Sequence, residues 1–443
     1  MTTNEMDPSE NKVRRSGISH RWGRKIVELR HMALISIPVG ALASAGVSLL
    51  EYICNGILWD HLSHEAVILR LAFPIIGLLF SGWILHRLHV SSVGMLNEVV
   101  LHYHSPPESL SIKEDSLKAL ACISTVGLGA SLGLGGPSQW LGTRIALYLR
   151  HYLGHHRLFR GITKSHIVLI GAAAGVSAIF RAPLAGTLLA LETPFSKDID
   201  GPALLPASMA AFSSHIVHGY FFDDKPLLPF ASEVHANPKT IVAAIVVGLI
   251  AGFLSRRFQR GLIFFKRVAA PMRWYTRAIL GGMLTSISAA IAWYFYGDTF
   301  TLQAGLPLAQ MTFAGEVVGL AALGLLVLKI LAVWATAGTT GVAGLLVVTL
   351  TVGSLIGASV QPLFPALAPD VAAAIGVCAY LAANYNAPLT GIALSAEWGG
   401  TGLLPVAWIA VIIAAWIGEG LANTPAKIKS RRNHQDNILE ANE

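Results

Sequence analysis

Long apolar runs constrain this chain more than any other feature. Each run of about 20 apolar residues is long enough to cross a lipid bilayer as a helix. Clear examples are Met32–Leu50, Ala66–Leu85, Ile241–Leu254, Val317–Thr336 and Val406–Leu421. Only 13% of the 443 residues are charged, whereas soluble domains have about 25%. The sequence therefore predicts an all-α, multi-pass integral membrane protein. No motif combines a nucleophile, a base and an orienting group, so we predict no enzyme activity.

The formal net charge of +7 comes mostly from basic residues in Lys12–Arg30 and Lys427–Arg432. Binding to nucleic acid is one use of such charge, but the excess of cations in cytoplasmic segments explains it without a polynucleotide partner. We predict a basic cytoplasmic segment over 1–30, a membrane domain over 31–425 in contact with lipid, and a short cytoplasmic tail over 426–443. The two termini are then on the same side, and the number of spans is even.

Cysteine and histidine patterns give no sign of a metal site. The three cysteines lie far apart in apolar segments, which favours packing as small hydrophobic residues: Cys54, Cys122 and Cys378. His151 and His155 have the spacing of neighbours on a helix, and His156 follows, but no carboxylate or cysteine accompanies them. We expect a solvated basic loop there. The sequence predicts no metal and no cofactor.

Two segments of the chain match each other at a fixed separation of 205 residues. Gly171–Glu192 and Gly376–Glu397 are identical at nine of 22 positions, including Ala-Pro-Leu-x-Gly and the final glutamate. Apolar composition alone would not align these particular residues, so we infer a duplication. The repeat halves are predicted to cover about 66–220 and 277–425.

Each copy of the repeat contains a break in an apolar helix. The breaks fall at Arg181-Ala182-Pro183 and at Asn386-Ala387-Pro388. Proline is well placed at a helix start, because the N–H that it lacks has no partner there in any residue. Broken helices at matching positions of two halves are typical of transporters, and irregular backbone at membrane depth needs protein or a cavity around it.

A glycine-rich turn precedes an apolar helix in each half. Gly133–Pro137 aligns with Gly341–Leu345 at a separation of 208 residues, with only two glycines coincident. Backbone N–H groups in such a turn, together with the positive end of the following helix dipole, form an anion site without any charged side chain. A nucleotide-binding loop is the alternative, but no strand precedes the turn. Two such turns predict a path for a small anion.

These residues resemble the CLC family of chloride channels and chloride/proton antiporters. The most specific matches are Gly171–Glu192 and Gly376–Glu397, and Leu328–Gly357 resembles the segment with the family's G-G-x-F-x-P signature. The resemblance implies a CLC-type fold with two inverted repeats of tilted, broken helices, and a homodimer with one pore in each subunit. The tail over 426–443 is expected to be too short for CBS domains. Chloride or a similar small anion is the implied substrate. The implied anion-binding positions are Val93, Gly94, Gly133, Gly135, Gly136, Pro137, Gly344, Leu345 and Leu346.

The sequence departs from the family pattern at the residues that move protons. Gly135 stands where the family has its gating glutamate, and Thr193 stands where antiporters have an inner proton-transfer glutamate. Val93 replaces the serine whose hydroxyl coordinates chloride. A proton path requires titratable groups. We therefore predict passive, channel-like conduction with an outer side open at Gly135.

Two alternatives remain. A proton-coupled exchanger of chloride or fluoride would need a relocated acid, for which Glu98 and Glu316 are the candidates. A protein that kept the fold and lost the pore would be a non-conducting membrane scaffold. Glu192, Glu397 and Lys329 lie in apolar helices, and we expect structural roles for them. The short loops favour a prokaryotic inner membrane as the location.

Overall fold

The protein is described here from a computed structural model. The structure describes residues 8–90, 94–107, 109–154, 162–195, 198–221 and 226–418, with side chains from residue 30 onwards. Of the sequence predictions, those on Val93, on His155 and His156 and on the tail over 426–443 lie outside the described residues.

The described part of the chain is helical, with no strand longer than a single bridge. In chain order the α-helices are α1 Pro8–Glu51, α2 Asp60–Ser63, α3 Val67–Arg87, α4 Met95–His104, α5 Ile112–Gly127, α6 Gly135–Leu153, α7 Lys164–Phe180, α8 Pro183–Glu192, α9 Leu204–Phe221, α10 Pro238–Ala269, α11 Trp274–Tyr296, α12 Leu306–Phe313, α13 Gly319–Ala337, α14 Leu346–Val360, α15 Pro369–Tyr385 and α16 Pro388–Ile417. A π-helical segment, Tyr52–Trp59, links α1 to α2. α1 runs through the predicted boundary at residue 30.

Seven segments among the described residues are long and apolar enough to cross a membrane. Their outer faces carry exposed apolar side chains, such as Ile68, Phe264 and Ile287. By contrast, α7, α14 and α15 are apolar on all sides and almost entirely buried within the protein. Helices that are hydrophobic all round belong in a core. The fold is therefore a central group of buried helices inside a lipid-facing shell, as expected of a multi-pass membrane protein.

The two halves place their central helices in matching pairs. A Cβ added at Gly142 of α6 would lie 2.2 Å from the carbonyl oxygen of Gly171 in α7. In the other half, a Cβ at Gly353 of α14 would lie 2.8 Å from the carbonyl oxygen of Gly376 in α15. Such close backbone approach requires small residues. The same helix crossing therefore occurs once in each half.

The predicted helix breaks are present in both halves. α7 ends at Phe180 and α15 ends at Tyr385, and the next residue in each case is left-handed: Arg181 has φ 53° and Asn386 has φ 51°. Only a few per cent of non-glycine residues adopt such angles. A new helix then begins at Pro183 in α8 and at the corresponding proline of α16.

Two glutamates connect these new helices across the halves. Glu192, at the end of α8, accepts hydrogen bonds from the amides of Leu389 and Thr390 at the start of α16, over 2.9 and 2.8 Å. Glu397 of α16 accepts from the amides of Leu184 and Ala185 at the start of α8, over 2.7 and 2.9 Å. Each repeat thus caps a helix of the other. The prediction of a structural role was correct, although both contacts run between the halves and not within them.

Candidate functional site

The two glycine-rich turns meet at the centre of the protein. Gly133 and Gly344 form an antiparallel bridge, in which each amide donates to the other carbonyl oxygen over 2.9 and 2.8 Å. Gly344 therefore corresponds to Gly133, at a separation of 211 residues and not 208 as the glycine pattern suggested. The helix starts agree with this, because Gly135 begins α6 and Leu346 begins α14.

The first turns of α6 and α14 present free backbone amides near this bridge. The first intrahelical bonds are those from Ser138 to Leu134 and from Thr349 to Leu345. Earlier amides in a helix have no partner within it, and within the described residues no acceptor is seen for those of Gly135 or Leu346. All the residues from Ala130 to Trp140 are buried. Two helix N-termini thus present N–H groups in a buried place, which is the arrangement that holds an anion.

The space beside Gly135 is filled by Leu346. A Cβ added at Gly135 would lie 2.6 Å from the Cβ of Leu346 and 3.0 Å from its Cδ2. The Leu346 side chain is only 1% exposed. An outer side left open by the missing glutamate is therefore not what the structure has: an isobutyl group covers the position at which the family has a carboxylate.

Gly136 and Gly344 bring the two backbones into direct contact. A Cβ at Gly344 would lie 2.3 Å from the amide nitrogen of Gly136 and 2.9 Å from the ring of Pro137. Real Cβ atoms do not approach a backbone atom so closely. No side chain fits at this crossing. The two helix starts can lie this close together only because residue 344 is a glycine.

A buried lysine supports the turn before α6. Lys329 of α13 is 0% exposed, and its Nζ donates to Ser131 Oγ and to the carbonyl oxygen of Thr301, each over 3.0 Å. It also donates to the carbonyl oxygen of Gln303. Within the described residues Lys329 has no acidic partner. Lys329 therefore ties Ser131, four residues before Gly135, to the segment that contains Thr301 and Gln303.

Two polar residues of this region were not predicted. Gln139 lies one helical turn after Gly135, so both are on one face of α6. Gln139 is 1% exposed, and neither its amide nitrogen nor its amide oxygen has a partner among the described residues. Buried polar groups are nearly always paired. An unpaired amide on this face is thus a candidate ligand for an anion or for water.

The second is Asn384 of α15, which is fully buried. Its Nδ2 donates to Thr349 Oγ1 over 3.0 Å, and that hydroxyl donates to the carbonyl oxygen of Leu345 over 2.9 Å. Gln259 Nε2 donates to Asn384 Oδ1 over 2.8 Å. This chain holds the first turn of α14 in place. The one available signal was that Asn384 occupies the repeat position held by apolar Ile179 in the first half.

The inner position of the predicted path is at the start of α4. Gly94 precedes the first residue of α4 and accepts the first bond of that helix, from Glu98. The Glu98 carboxylate accepts from Lys118 Nζ over 2.6 Å and from Trp140 Nε1 over 2.8 Å. Arg144 lies 4.0 Å from it. Glu98 is therefore fixed within a cluster of charged and polar groups.

Neither of the other two positions considered for proton transfer, Thr193 and Glu316, places an acid beside the starts of α6 and α14. Thr193 follows α8 and is 3% exposed, and its hydroxyl donates to the carbonyl oxygen of Leu189. Glu316 precedes α13, which begins at Gly319, and it is exposed in the turn before that helix. Among the described residues, no group of three or more histidine, cysteine, aspartate or glutamate side chains is arranged to hold a metal ion.

Comparison with known proteins places this geometry in a family. The family model described as voltage gated chloride channel matches residues 77–419. The voltage-gated ClC-type chloride channel ClcB of Salmonella typhimurium is 24% identical over 423 residues, covering 88% of this chain and 96% of that protein. The H+/Cl− exchange transporter ClcA of Yersinia pestis is 25% identical over 293 residues, covering 63% of this chain and 60% of its own.

A solved structure has the same fold. The crystal structure of a CLC-type fluoride/proton antiporter matches with a TM-score of 0.76 and 23% identity, over 91% of this chain and 99% of that one. The buried helix starts, the matching helix crossings in the two halves and the family match over 77–419 agree with one another. The chain therefore belongs to the voltage-gated chloride channel (CLC) family, whose members carry chloride and related anions across membranes.

Proposed function

We propose that this protein conducts chloride or a similar small anion passively, without moving protons. The observation that carries the proposal is the pair of buried helix starts, α6 and α14, joined at Gly133 and Gly344 with free amides beside them. Backbone amides attract an anion whatever side chains they bear. Binding at a site of this kind needs neither the lost glutamate nor the lost serine.

Uncoupled conduction is supported by the side chains that replace the family's acids. Gly135 and Thr193 carry no titratable group, and the Thr193 hydroxyl is bound to its own helix. Glu98 is held by Lys118 and Trp140, which leaves its carboxylate little freedom to carry a proton elsewhere. Proton movement across a membrane needs titratable groups along the path.

In this proposal Leu346 closes the path in place of the glutamate. Its side chain lies against Gly135 in this structure, and a leucine changes rotamer without any proton uptake. Opening then requires Leu346 to turn away from Gly135, which exposes the amides of both helix starts to the outer side. Gln139, one turn along α6, would be the next polar group that the anion meets.

Proton-coupled exchange is the second candidate, because a relative is named as an H+/Cl− exchange transporter. Glu98 is the acid best placed for it, since it lies in the first turn of α4, close to Gly94. The exposed Glu316 has no comparable position. In this candidate mechanism the Glu98 carboxylate must leave Lys118 and take up a proton each time an anion passes.

Efflux from liposomes containing the purified protein separates these candidates. External chloride and external pH are recorded together, with valinomycin present so that potassium efflux balances the charge of the chloride that leaves. We expect chloride release without proton movement, and the same result for Glu98→Gln. Proton uptake in fixed ratio to chloride, abolished in Glu98→Gln, would establish the exchanger instead. If no anion leaves liposomes that contain folded protein, the scaffold alternative is correct.

We further propose that both termini face the cytoplasm and that the protein is a homodimer. The candidate interface consists of exposed apolar side chains on α8, α9 and α16, including Leu184, Ile216, Tyr220, Leu389, Trp408 and Trp416. The starts of α8 and α16 are capped reciprocally by Glu397 and Glu192, so a partner that packs against these helices would meet a rigid part of the fold. A prokaryotic inner membrane remains the proposed location.

A further inference from the structure

One buried side chain of α6 has no partner at either of its polar ends. Gln139 is 1% exposed, and neither its Nε2 nor its Oε1 makes a hydrogen bond within the described residues. The polar side chains around it on α6 are paired. The Trp140 indole donates to Glu98, and the hydroxyls of Ser138 and Thr143 donate to backbone carbonyl oxygens. Buried amides pair with protein, with ordered water or with a ligand. Gln139 therefore has a donor and an acceptor to offer to a ligand.

Helix geometry aims this amide at the start of α6. A long side chain in an α-helix lies over the turn that precedes it, and for Gln139 that turn begins at Gly135 and Gly136, which have no side chains. The amide thus lies on the same side of α6 as the N–H group of Gly135, for which the described residues provide no acceptor. The backbone of Gln139 is fixed, because a Cβ added at Gly175 of α7 would lie only 3.1 Å from the Gln139 nitrogen. Gln139 and the start of α6 therefore form one rigid unit.

The side chains that adjoin the glycine-rich turns at Gly133 and Gly135 are apolar. A Cβ added at Gly133 would lie 3.0 Å from the Cβ of Ala304 and 3.1 Å from that of Val347. The space beside Gly135 is filled by Leu346. An anion between these turns would meet backbone N–H groups and hydrocarbon, which do not fully replace the water that the anion loses. Because this loss costs most for small, strongly hydrated anions, backbone amides alone favour large, weakly hydrated ones.

A primary amide side chain compensates for part of this cost. Its nitrogen carries two N–H donors, and its oxygen accepts hydrogen bonds. A halide ion only accepts hydrogen bonds, so it pairs with Nε2 of Gln139 and leaves Oε1 for a donor. A water molecule supplies that donor and binds the same ion through its second proton. The two ends of Gln139 thus match an anion that keeps a water molecule.

We propose that Gln139 determines the anion specificity of this protein. Its Nε2 donates to the anion, and its Oε1 accepts from a water molecule that stays with the ion. This arrangement favours chloride and fluoride, which are small and strongly hydrated, over iodide, which is large and weakly hydrated. The inference deepens the proposed function, and it rests on that proposal for the position of the anion path between α6 and α14.

The test is isothermal titration calorimetry of the detergent-purified full chain, in a gluconate buffer, with chloride and with iodide. Gln139→Met keeps the approximate volume of the side chain and removes both polar ends. It should lower the affinity for chloride about tenfold, the effect of losing one hydrogen bond to an ion, and leave that for iodide within about twofold of wild type. Thr143→Val is the control, because the Thr143 hydroxyl is bound to the carbonyl oxygen of Val168. It should leave the ratio of the two affinities unchanged.

A second variant covers the case in which Gln139→Met does not fold. Gln139→Asn withdraws the amide by one methylene group, so its ratio of chloride to iodide affinity should fall below that of wild type. The proposal is overturned if the wild-type protein binds neither ion or prefers iodide, or if the folded Gln139 variants keep the wild-type ratio. Equal losses for both ions overturn it as well, because Gln139 would then support binding without selecting the ion.

Calorimetry measures binding without transport, so this inference and the proposed function fail separately. Protons that move with chloride in the liposome assay would refute passive conduction, and the affinities of the Gln139 variants would still decide the role of Gln139. Chloride efflux without protons, together with an unchanged ratio of affinities in those variants, would refute the specificity role alone.

Discussion

Glu192→Ala is expected to destabilise the protein by about 4 kcal/mol, since each buried polar group left without a partner costs about 1–3 kcal/mol. The substitution removes the acceptor for the amides of Leu389 and Thr390 and for the Thr390 hydroxyl. Glu192 is 5% exposed, so its removal leaves these donors in a largely buried place. Thermal unfolding in detergent should show the loss, and the yield of monodisperse protein should fall with it.

Two matched variants test the cause of this effect. Glu397→Ala should cost less, because Leu184, one of the two residues whose amides it binds, is 46% exposed. Thr390→Val removes only the hydroxyl bond and should cost about 1 kcal/mol. If Glu192→Ala unfolds at the same temperature as Thr390→Val, the reciprocal capping of the two halves does not hold the fold together.

Gly344→Ala is expected to abolish anion conduction and to lower stability by about 2–3 kcal/mol, the usual cost of overpacking. The added methyl group would lie 2.3 Å from the amide nitrogen of Gly136, so the two helix starts must separate. Anion affinity depends on both sets of amides converging on one point, and a shift of about 1 Å at a binding site reduces function by about 100-fold. Chloride efflux from liposomes measures the effect.

Gly201→Ala is the control for this substitution, because nothing lies within 4 Å of a Cβ at that position. It should leave both stability and efflux unchanged. Wild-type efflux from folded Gly344→Ala protein would mean that the anion does not pass between the starts of α6 and α14.

The apolar runs and the repeated Ala-Pro-Leu-x-Gly segment were sufficient to predict the helical membrane fold and the broken helices. Both features depend on local chemistry: proline and a left-handed residue end one helix and begin the next. The correspondence of Gly133 with Gly344 was not recoverable in the same way. Glycine spacing alone favoured a register three residues off, whereas the true register is set by a backbone bridge between segments some 200 residues apart.

The filling of the position beside Gly135 was also beyond sequence reasoning. The missing carboxylate suggested that the outer side of the path is open at Gly135. The sequence alone does not show which neighbouring side chain packs into the space that the carboxylate would occupy. That neighbour, Leu346, belongs to the other half. The hydrogen bonds that Lys329 and Asn384 make to this site could not be predicted either, because they join residues that are far apart in the sequence. Tertiary packing decides such contacts, and periodicity carries no information on them.

The measurement that tests uncoupled conduction most directly is the reversal potential of the purified protein in a planar bilayer. Chloride is held equal on the two sides, and the pH is made different. A passive anion path predicts a reversal potential of zero at every pH gradient, because only chloride carries current. A reversal potential that shifts in proportion to the pH gradient would show that protons move with the anion, and it would contradict the proposal.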